Sequence, residues 1–233
     1  MSSEKLLVGF RLLDERPESI IRRGSVILAS GPPLSGKRIF AKRFAYAGLQ
    51  SGECCIFTCT NNPAEEERRE FAEYGMDVSE FESAGTMAYI DFYSRGAGIK
   101  CDETELIKRV ASLMDLTGYN VALRDLLTKF WRMEKPIRIV FDSLSTLLLY
   151  NDARTVTRFL HMMLGKLRSV NATSLLVLEE GAHPPEILTI IKSMANALIE
   201  FKEDERGAQY LRVRSESAFL DWMPYAALAP GLG

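Results

Sequence analysis

One glycine-rich segment has the residue types and spacing of a phosphate-binding loop. Residues 31–38 contain the pattern GxxxxGK and read Gly31, Pro32, Pro33, Leu34, Ser35, Gly36, Lys37 and Arg38. In such loops the backbone N–H groups and the first turn of the next helix surround phosphate oxygens, and the lysine reaches the β and γ phosphates. Because the segment lies between an apolar run and a helical pattern, we predict that it binds a nucleoside triphosphate.

A carboxylate at the end of another apolar run is a candidate partner of this loop. Asp142 follows the run 136–141, about a hundred residues after the loop. In nucleotide hydrolases such a strand-end carboxylate orients a water molecule bound to Mg²⁺. Asp142 is therefore a predicted nucleotide-site residue that contacts Mg²⁺ through water, and an ordinary strand-ending aspartate is the alternative.

The residue after the loop lysine does not suit metal-dependent chemistry. A Ser or Thr hydroxyl usually binds Mg²⁺ at this position, but here the residue is Arg38, which has no lone pair to give a metal. We expect direct magnesium coordination by the loop to be lost. Arg38 either supplies positive charge to the phosphates or points into solvent at the start of the helix, and both alternatives stay open.

The elements that must position these residues follow an alternating pattern. Short β-branched runs alternate with helical patterns from Ser25 onward, which is typical of an α/β fold with a mainly parallel sheet. The predicted strands cover residues 25–30, 54–60, 86–92, 136–142, 173–178, 197–201 and 209–214. The predicted helices cover residues 37–49, 64–74, 103–116, 120–133, 152–170 and 185–194. The last two strands flank the turn at 204–207, so we predict a C-terminal antiparallel hairpin.

Length and composition favour a single core. The 233 residues are 47% hydrophobic, which suits one α/β domain over residues 1–233, with an N-terminal segment at 1–24 and a tail at 217–233. The stretch 224–233 is predicted to be a frayed end. No apolar run approaches the ~20 residues of a transmembrane helix, and the start lacks a secretory signal, so we expect a cytoplasmic protein.

Charge and cysteine content argue against two other kinds of site. Lys plus Arg total 29 against 31 for Asp plus Glu, so a net charge of −2 gives no general attraction to nucleic acid. A small basic and aromatic patch at 129–132 is the remaining candidate. Since the four cysteines, Cys54, Cys55, Cys59 and Cys101, show no paired CxxC spacing, we predict buried free thiols rather than a metal site.

Five further segments accompany the loop in a characteristic order. They are GSVIL at 24–28, FAYAGLQSGE at 44–53, FAEYGMD at 71–77, DSLS at 142–145 and RVR at 212–214. With these segments the chain resembles the KaiC-like family of RecA-superfamily ATPases, which includes archaeal RecA paralogues and ArlH (FlaH)-like proteins. The resemblance implies a RecA-like P-loop fold, ATP as the ligand, Mg²⁺ as its usual companion and an archaeal source.

The resemblance also implies a degenerate catalytic site. The family has two glutamates at the end of the second strand, one of which activates the attacking water, and Thr60 and Asn61 stand there in this chain. Neither side chain accepts a proton near neutral pH, so a general-base contribution of roughly 10²- to 10⁴-fold should be missing. Glu179 and Glu180, after the fifth strand, are candidate substitutes, and solvated loop carboxylates are the alternative. The acidic run 65–67 is a weaker candidate because negative charge is favoured in the first turn of a helix.

A late strand carries the counterpart of a residue pair that acts between subunits in the family. Arg212 and Arg214 stand at the positions of a Lys-x-Arg pair that reaches the neighbouring subunit's nucleotide. Alternate strand residues share one face, so both guanidinium groups can point at one phosphate, which implies a homo-oligomer. The alternative is a strand edge protected by charge. His161 and His183 are single and are predicted to have surface or packing roles.

Four functions are compatible with these residues. The favoured one is an ATP-binding regulatory or assembly protein with weak or absent hydrolysis, which acts as an oligomer or with a partner protein. The second is a slow ATPase that uses Glu179, Glu180 or a partner's residue. A recombination or DNA-repair role follows from fold kinship alone. The fourth is a pseudo-ATPase scaffold in which Arg38 fills the phosphate position.

Overall fold

The computed structural model describes residues 6–16, 21–216 and 218–225. In these residues a single sheet has the order β4-β3-β2-β5-β6-β1-β7-β8-β9. Its strands are β1 (Val26–Gly31), β2 (Cys54–Cys59), β3 (Met87–Asp91), β4 (Ile107–Arg109), β5 (Ile137–Asp142), β6 (Thr173–Glu179), β7 (Ala197–Glu203), β8 (Gln209–Ser215) and β9 (Phe219–Pro224). The helices are α1 (Arg11–Asp14), α2 (Lys37–Gln50), α3 (Ala64–Glu73), α4 (Ser79–Ser83), α5 (Tyr93–Gly96), α6 (Leu116–Trp131), α7 (Leu144–Tyr150), α8 (Ala153–Ser169) and α9 (Pro185–Ser193).

The sheet is parallel from β4 to β7 and antiparallel from β7 to β9. This confirms the predicted α/β class and the C-terminal hairpin. In parallel strands all carboxyl ends lie at one edge of the sheet, where ligands bind in such folds. The register places Gly31 beside Glu179 and Cys59 beside Asp142 at that edge.

Two apolar layers cover the two faces of the sheet. Successive strand residues point to opposite faces, so Ile27 joins the layer with Phe40 and Phe44 of α2, whereas Leu28 joins the layer with Leu160 of α8. The helix predicted at 152–170 is α8, and six apolar residues form its buried face: Val156, Phe159, Leu160, Met163, Leu164 and Leu167. Asp152 caps α8 by accepting from the Thr155 amide.

The helix predicted at 103–116 is wrong. This stretch contains a turn and the short strand β4, which pairs in parallel with β3. The Thr104 hydroxyl accepts hydrogen bonds from the amides of Leu106 and Ile107, which favours a turn over a helix. Arg109 is buried at the end of β4 and pairs with Asp91 of β3, so long-range contacts outweigh the local helical pattern.

The strand that completes the antiparallel end of the sheet was not predicted. β9 pairs with β8, and Tyr225, which follows it, is buried. Only the beginning of the expected frayed end at 224–233 is described, since residues 226–233 lie outside the described part of the chain. Within that part, no helix combines the length and the apolar character that crossing a membrane requires.

Candidate nucleotide-binding site

The phosphate loop connects β1 to α2 at the carboxyl edge of the sheet. Gly36 precedes α2 with a φ of 84°, a left-handed conformation that favours glycine. A Cβ atom at Gly31 would lie 2.8 Å from the Phe201 carbonyl oxygen, so this position also requires glycine. Because Gly36 has no side chain to cap the helix, the first amides of α2 remain available to an anion, which the helix dipole also favours.

The loop lysine is buried and makes two contacts within the chain. The Nζ atom of Lys37 lies 2.6 Å from Glu179 Oε2 and donates to the Pro32 carbonyl oxygen at 2.6 Å. Glu179, a predicted candidate, therefore lies directly against the loop. Phosphate oxygens are strong acceptors for an ammonium group, so a bound triphosphate would compete with both contacts.

Glu180 points to different partners. Its Oε1 atom accepts from the Ser30 hydroxyl at 2.9 Å and from Lys192 Nζ at 3.0 Å. His183 lies within electrostatic reach of Glu179: burial lowers the pKa of His183, and the Glu179 carboxylate opposes that shift. No residue pattern predicted the location of His183, whereas His161 is exposed on α8 as expected.

Arg38 binds carboxylates of its own chain. Its Nε atom donates to Asp142 Oδ2 at 3.0 Å, and its Nη2 atom donates to Glu67 Oε1 at 3.0 Å. Glu70 Oε2 is 3.7 Å away. Burial works to lower the pKa of Arg38, but Asp142 and the two glutamates overcome it and raise the pKa. The guanidinium is thus a permanent cation beside the loop.

Lys42 is a second cation near the loop, and unlike Arg38 it is fully buried. It completes a group that we call the carboxylate cluster: Arg38, Lys42, Asp142, Glu67 and Glu70. Lys42 donates to Glu67 and lies 3.1 Å from Glu70. Burial works to lower the pKa of Lys42, but Glu67 raises it above its usual value. This cluster was not predicted, although the i, i+4 spacing of its cations and the i, i+3 spacing of its glutamates place each pair on one helix face.

The three glutamates of the acidic run at 65–67 contact different basic residues. Glu67 lies in the carboxylate cluster, Glu65 pairs with Arg109 and Glu66 pairs with Arg69. All three belong to the first turn of α3, where the helix dipole favours negative charge, as expected. In this arrangement each of these carboxylates has a basic partner.

The site residues do not fit a magnesium ion held by Asp142. The Arg38 guanidinium binds one oxygen of this carboxylate, and the loop has no hydroxyl after Lys37. The other oxygen, Oδ1, is buried without a hydrogen-bond donor in the described residues. A divalent cation bound to this carboxylate would lie close to the guanidinium and be repelled by it. Within the described residues no group of three or more His, Cys, Asp or Glu side chains is arranged to hold a metal.

Comparison with known proteins places the chain in a family. Residues 8–215 match the family model described as "ATPase: KaiC". The chain belongs to the KaiC ATPase family. This KaiC-family chain has the fold of a KaiC-like protein from the archaeon Pyrococcus horikoshii, whose crystal structure superposes with a TM-score of 0.74 at 20% identity, over 96% of this chain and 95% of that one. The predicted RecA-like fold is thereby confirmed.

Sequence relatives of this KaiC-family chain include proteins of several archaea and of Thermotoga maritima. The UPF0273 protein of Pyrobaculum aerophilum is 33% identical over 142 residues, which are 60% of this chain and 48% of that protein. The UPF0273 protein of Pyrococcus furiosus is 30% identical over 153 residues, which are 64% of this chain and 58% of that protein. The aligned part thus spans about half the length of these relatives.

The two residues at the positions of the family glutamates have structural roles. The Thr60 hydroxyl donates to the Asp142 carbonyl oxygen at 2.8 Å and accepts from the Ser143 amide at 2.7 Å, so it connects the ends of β2 and β5. The Asn61 amide oxygen accepts from the Thr146 hydroxyl at 2.5 Å. Neither side chain is a base, and both are already hydrogen-bonded.

Arg212 and Arg214 share one face of β8, as their alternation requires. Both bind the buried Glu200 of β7, at 2.7 Å from Arg212 and 2.8 Å from Arg214. The Arg212 guanidinium also lies over the Trp222 ring, 4.6 Å from its centroid. Both side chains remain partly exposed. Their predicted reach into a neighbouring subunit stays a prediction.

The segment at 129–132 does not form a continuous basic and aromatic patch. Phe130 is buried in the core, and Lys129 Nζ pairs with Glu105 at 2.9 Å. Trp131 is exposed. Arg132 is exposed beside Trp131, and both line a cavity with Glu134 and Lys135, so the candidate patch is reduced to one aromatic ring and two cations. Nucleic-acid binding at this position stays a prediction.

Proposed function

We propose that this KaiC-family chain binds ATP on residues 31–38 and acts as a nucleotide-responsive regulatory or assembly protein with weak or absent hydrolysis. One observation carries the proposal: the strand-end carboxylates beside the loop are each paired with a cation. Asp142 pairs with Arg38, Glu179 with Lys37 and Glu180 with Lys192. A carboxylate whose oxygen already contacts a cation does not have that lone pair free to take a proton from the attacking water, which disfavours general-base catalysis.

Contacts between the phosphate loop and the strands β8 and β9 support the proposal that bound nucleotide affects these strands. The Gln209 side chain donates to the Leu34 carbonyl oxygen at 2.9 Å, and the Tyr225 hydroxyl donates to the Gly36 carbonyl oxygen at 3.2 Å. Gln209 begins β8, which carries Arg212 and Arg214, and Tyr225 follows β9, which pairs with β8. A loop that tightens around phosphates would therefore act on the strands proposed to meet a neighbouring subunit.

A slow ATPase is the second candidate, and the position of Glu179 favours it over Glu180. If phosphate oxygens bind Lys37, Glu179 loses its partner 2.6 Å away, and its Oε2 atom becomes free to contact a water molecule. Glu180 keeps its contacts with Ser30 and Lys192. Turnover would then depend on Glu179.

Equilibrium binding of a fluorescent ATP analogue tests the proposed function. We expect saturable binding to the wild type, a loss of about tenfold or more in Lys37→Ala, and little change in the matched control Lys192→Ala. Thermal melting should verify that each variant is folded. Absence of binding to the folded wild type would leave the scaffold as the function.

Turnover measurements separate the regulatory protein from the slow ATPase. The regulatory proposal expects phosphate release far below the roughly 10 per second that is typical of enzymes, and several turnovers per second would contradict it. If slow turnover is present and Glu179→Gln abolishes it while Glu180→Gln does not, the slow ATPase is correct. Sedimentation with and without ATP tests the oligomer, which should weaken in Arg212→Ala and Arg214→Ala.

A further inference from the structure

Arg38 connects the first turn of α2 to the end of β5. These are the two places that normally supply the loop hydroxyl and the strand-end carboxylate of a nucleotide-bound metal. Here the hydroxyl is absent, and the carboxylate is bound by a guanidinium 3.0 Å away. Arg38 therefore replaces the hydroxyl that would bind the metal, and it also binds one oxygen of the Asp142 carboxylate.

The formal charge of the carboxylate cluster shows how Arg38 affects the binding of a triphosphate. Arg38 and Lys42 carry two positive charges against three carboxylates, which leaves a net charge of −1. Without Arg38 the cluster would carry −2 beside a loop shaped for anions. A triphosphate would then be repelled more strongly and would need a divalent cation to compensate.

The guanidinium also retains donors for a ligand. Of its five N–H groups, one on Nε is directed to Asp142 and one on Nη2 to Glu67. The Arg38 side chain is 37% exposed, so it is partly accessible to a ligand. Arginine pairs well with phosphate oxygens because its planar fork offers parallel N–H donors.

We propose that Arg38 takes the place of the divalent cation, so that this site binds metal-free nucleoside triphosphate. Asp142 then anchors the guanidinium instead of a metal-bound water. This inference rests on the proposed function, since it concerns the form of nucleotide that the loop accepts. It predicts that Mg²⁺ is dispensable for binding and that restoring the usual hydroxyl brings the metal requirement back.

The experiment measures the dissociation constant of a fluorescent ATP analogue in excess Mg²⁺ and in EDTA. We expect the wild type to differ by less than about threefold between the two conditions. Arg38→Thr should bind about tenfold or more weakly in EDTA and regain affinity with Mg²⁺. The matched control is Arg69→Thr, which removes an exposed arginine that pairs with Glu66, and it should behave like the wild type.

A second readout follows the metal itself. Electron paramagnetic resonance of Mn²⁺ with ATP should give no protein-bound manganese signal in the wild type and a bound signal in Arg38→Thr. If Arg38→Thr does not fold, the wild-type measurements in Mg²⁺, EDTA and Mn²⁺ still decide the inference.

The outcomes separate this inference from the proposed function. Wild-type binding that requires Mg²⁺, or a protein-bound Mn²⁺ signal in the wild type, overturns the role of Arg38 while nucleotide binding stands. No wild-type binding in either condition overturns the proposed function and this inference together. If the wild type binds equally well in Mg²⁺ and in EDTA, and Arg38→Thr loses affinity in EDTA, the inference and the proposed function are both supported.

Discussion

The Tyr225 hydroxyl donates a hydrogen bond to the carbonyl oxygen of Gly36, 3.2 Å away. A residue just after β9 thus holds the glycine at which the phosphate loop enters α2. The Tyr225 ring packs edge-on against Phe10 and Phe201, with centroids 5.4 Å away in each pair. Burial raises the pKa of Tyr225, so the hydroxyl keeps its proton and remains a donor at neutral pH.

Tyr225→Phe should weaken nucleotide binding while the aromatic core stays packed. The variant loses one neutral hydrogen bond, so we expect a cost of about 0.5–1.5 kcal/mol in stability and a loss of a few-fold in affinity. Titration with the fluorescent ATP analogue and urea unfolding measure the two effects. Tyr210→Phe is the control because the Tyr210 hydroxyl contacts exposed Asp204. Unchanged affinity in Tyr225→Phe would show that this contact does not position the loop.

Two helical glycines should respond to alanine in opposite directions. A Cβ atom at Gly48 would lie 2.5 Å from Arg138 Nε, and Arg138 cannot yield because Glu53 binds its guanidinium at 2.8 and 2.9 Å. We expect Gly48→Ala to destabilise the fold by about 1–3 kcal/mol. Gly165 on α8 is exposed and has open space around it, so Gly165→Ala should stabilise by about 0.5–1 kcal/mol. Urea unfolding measures both, and equal effects would refute the assigned clash.

Glu200 should make stability depend on pH in the acid range. Burial works to raise the pKa of Glu200, but hydrogen bonds from Arg212 and Arg214 overcome it and hold the pKa below the ordinary 4.5. The unfolded chain therefore binds this proton more tightly. The stabilisation from Glu200 is fully present above about pH 4.5 and is lost as pH falls through the lower folded pKa.

The measurement is the free energy of unfolding of the wild type and Glu200→Gln from about pH 7 to about pH 3. The wild type should be more stable near neutral pH, and the difference should shrink in acid. Glu203→Gln, which changes an exposed glutamate of the same strand, is the control. A difference that does not vary with pH would contradict the assigned pKa direction.

The three strand cysteines should resist thiol reagents in the folded protein. Burial raises the pKa of Cys54 to about 11 and that of Cys55 to about 12, and it raises the pKa of Cys59 well above its usual range. Thiols react as thiolates, so we expect only the partly exposed Cys101 to be labelled quickly. Cys101→Ser should remove the fast phase, and urea should expose the remaining thiols. Rapid labelling of two or more thiols in folded protein would refute this assignment.

Local sequence patterns determined much of the fold in advance. The phosphate loop, the helix α8 and the final hairpin were predicted because each depends on the spacing of residues close in the chain. The stretch 103–116 and the strand β9 were not, since β4 and β9 exist only through pairing with β3 and β8. Strand formation of this kind depends on neighbours that are distant in sequence.

At the site, the sequence by itself determined which chemical groups are present: a loop for anions, Thr60 and Asn61 in place of two glutamates, and Arg38 in place of a hydroxyl. Only the tertiary structure decided what these groups contact. Arg38 and Asp142 are 104 residues apart in sequence, and they meet because the order β2-β5-β6-β1 brings the ends of distant strands to one edge. Ion pairs depend on distance and burial, which residue spacing along the chain does not specify.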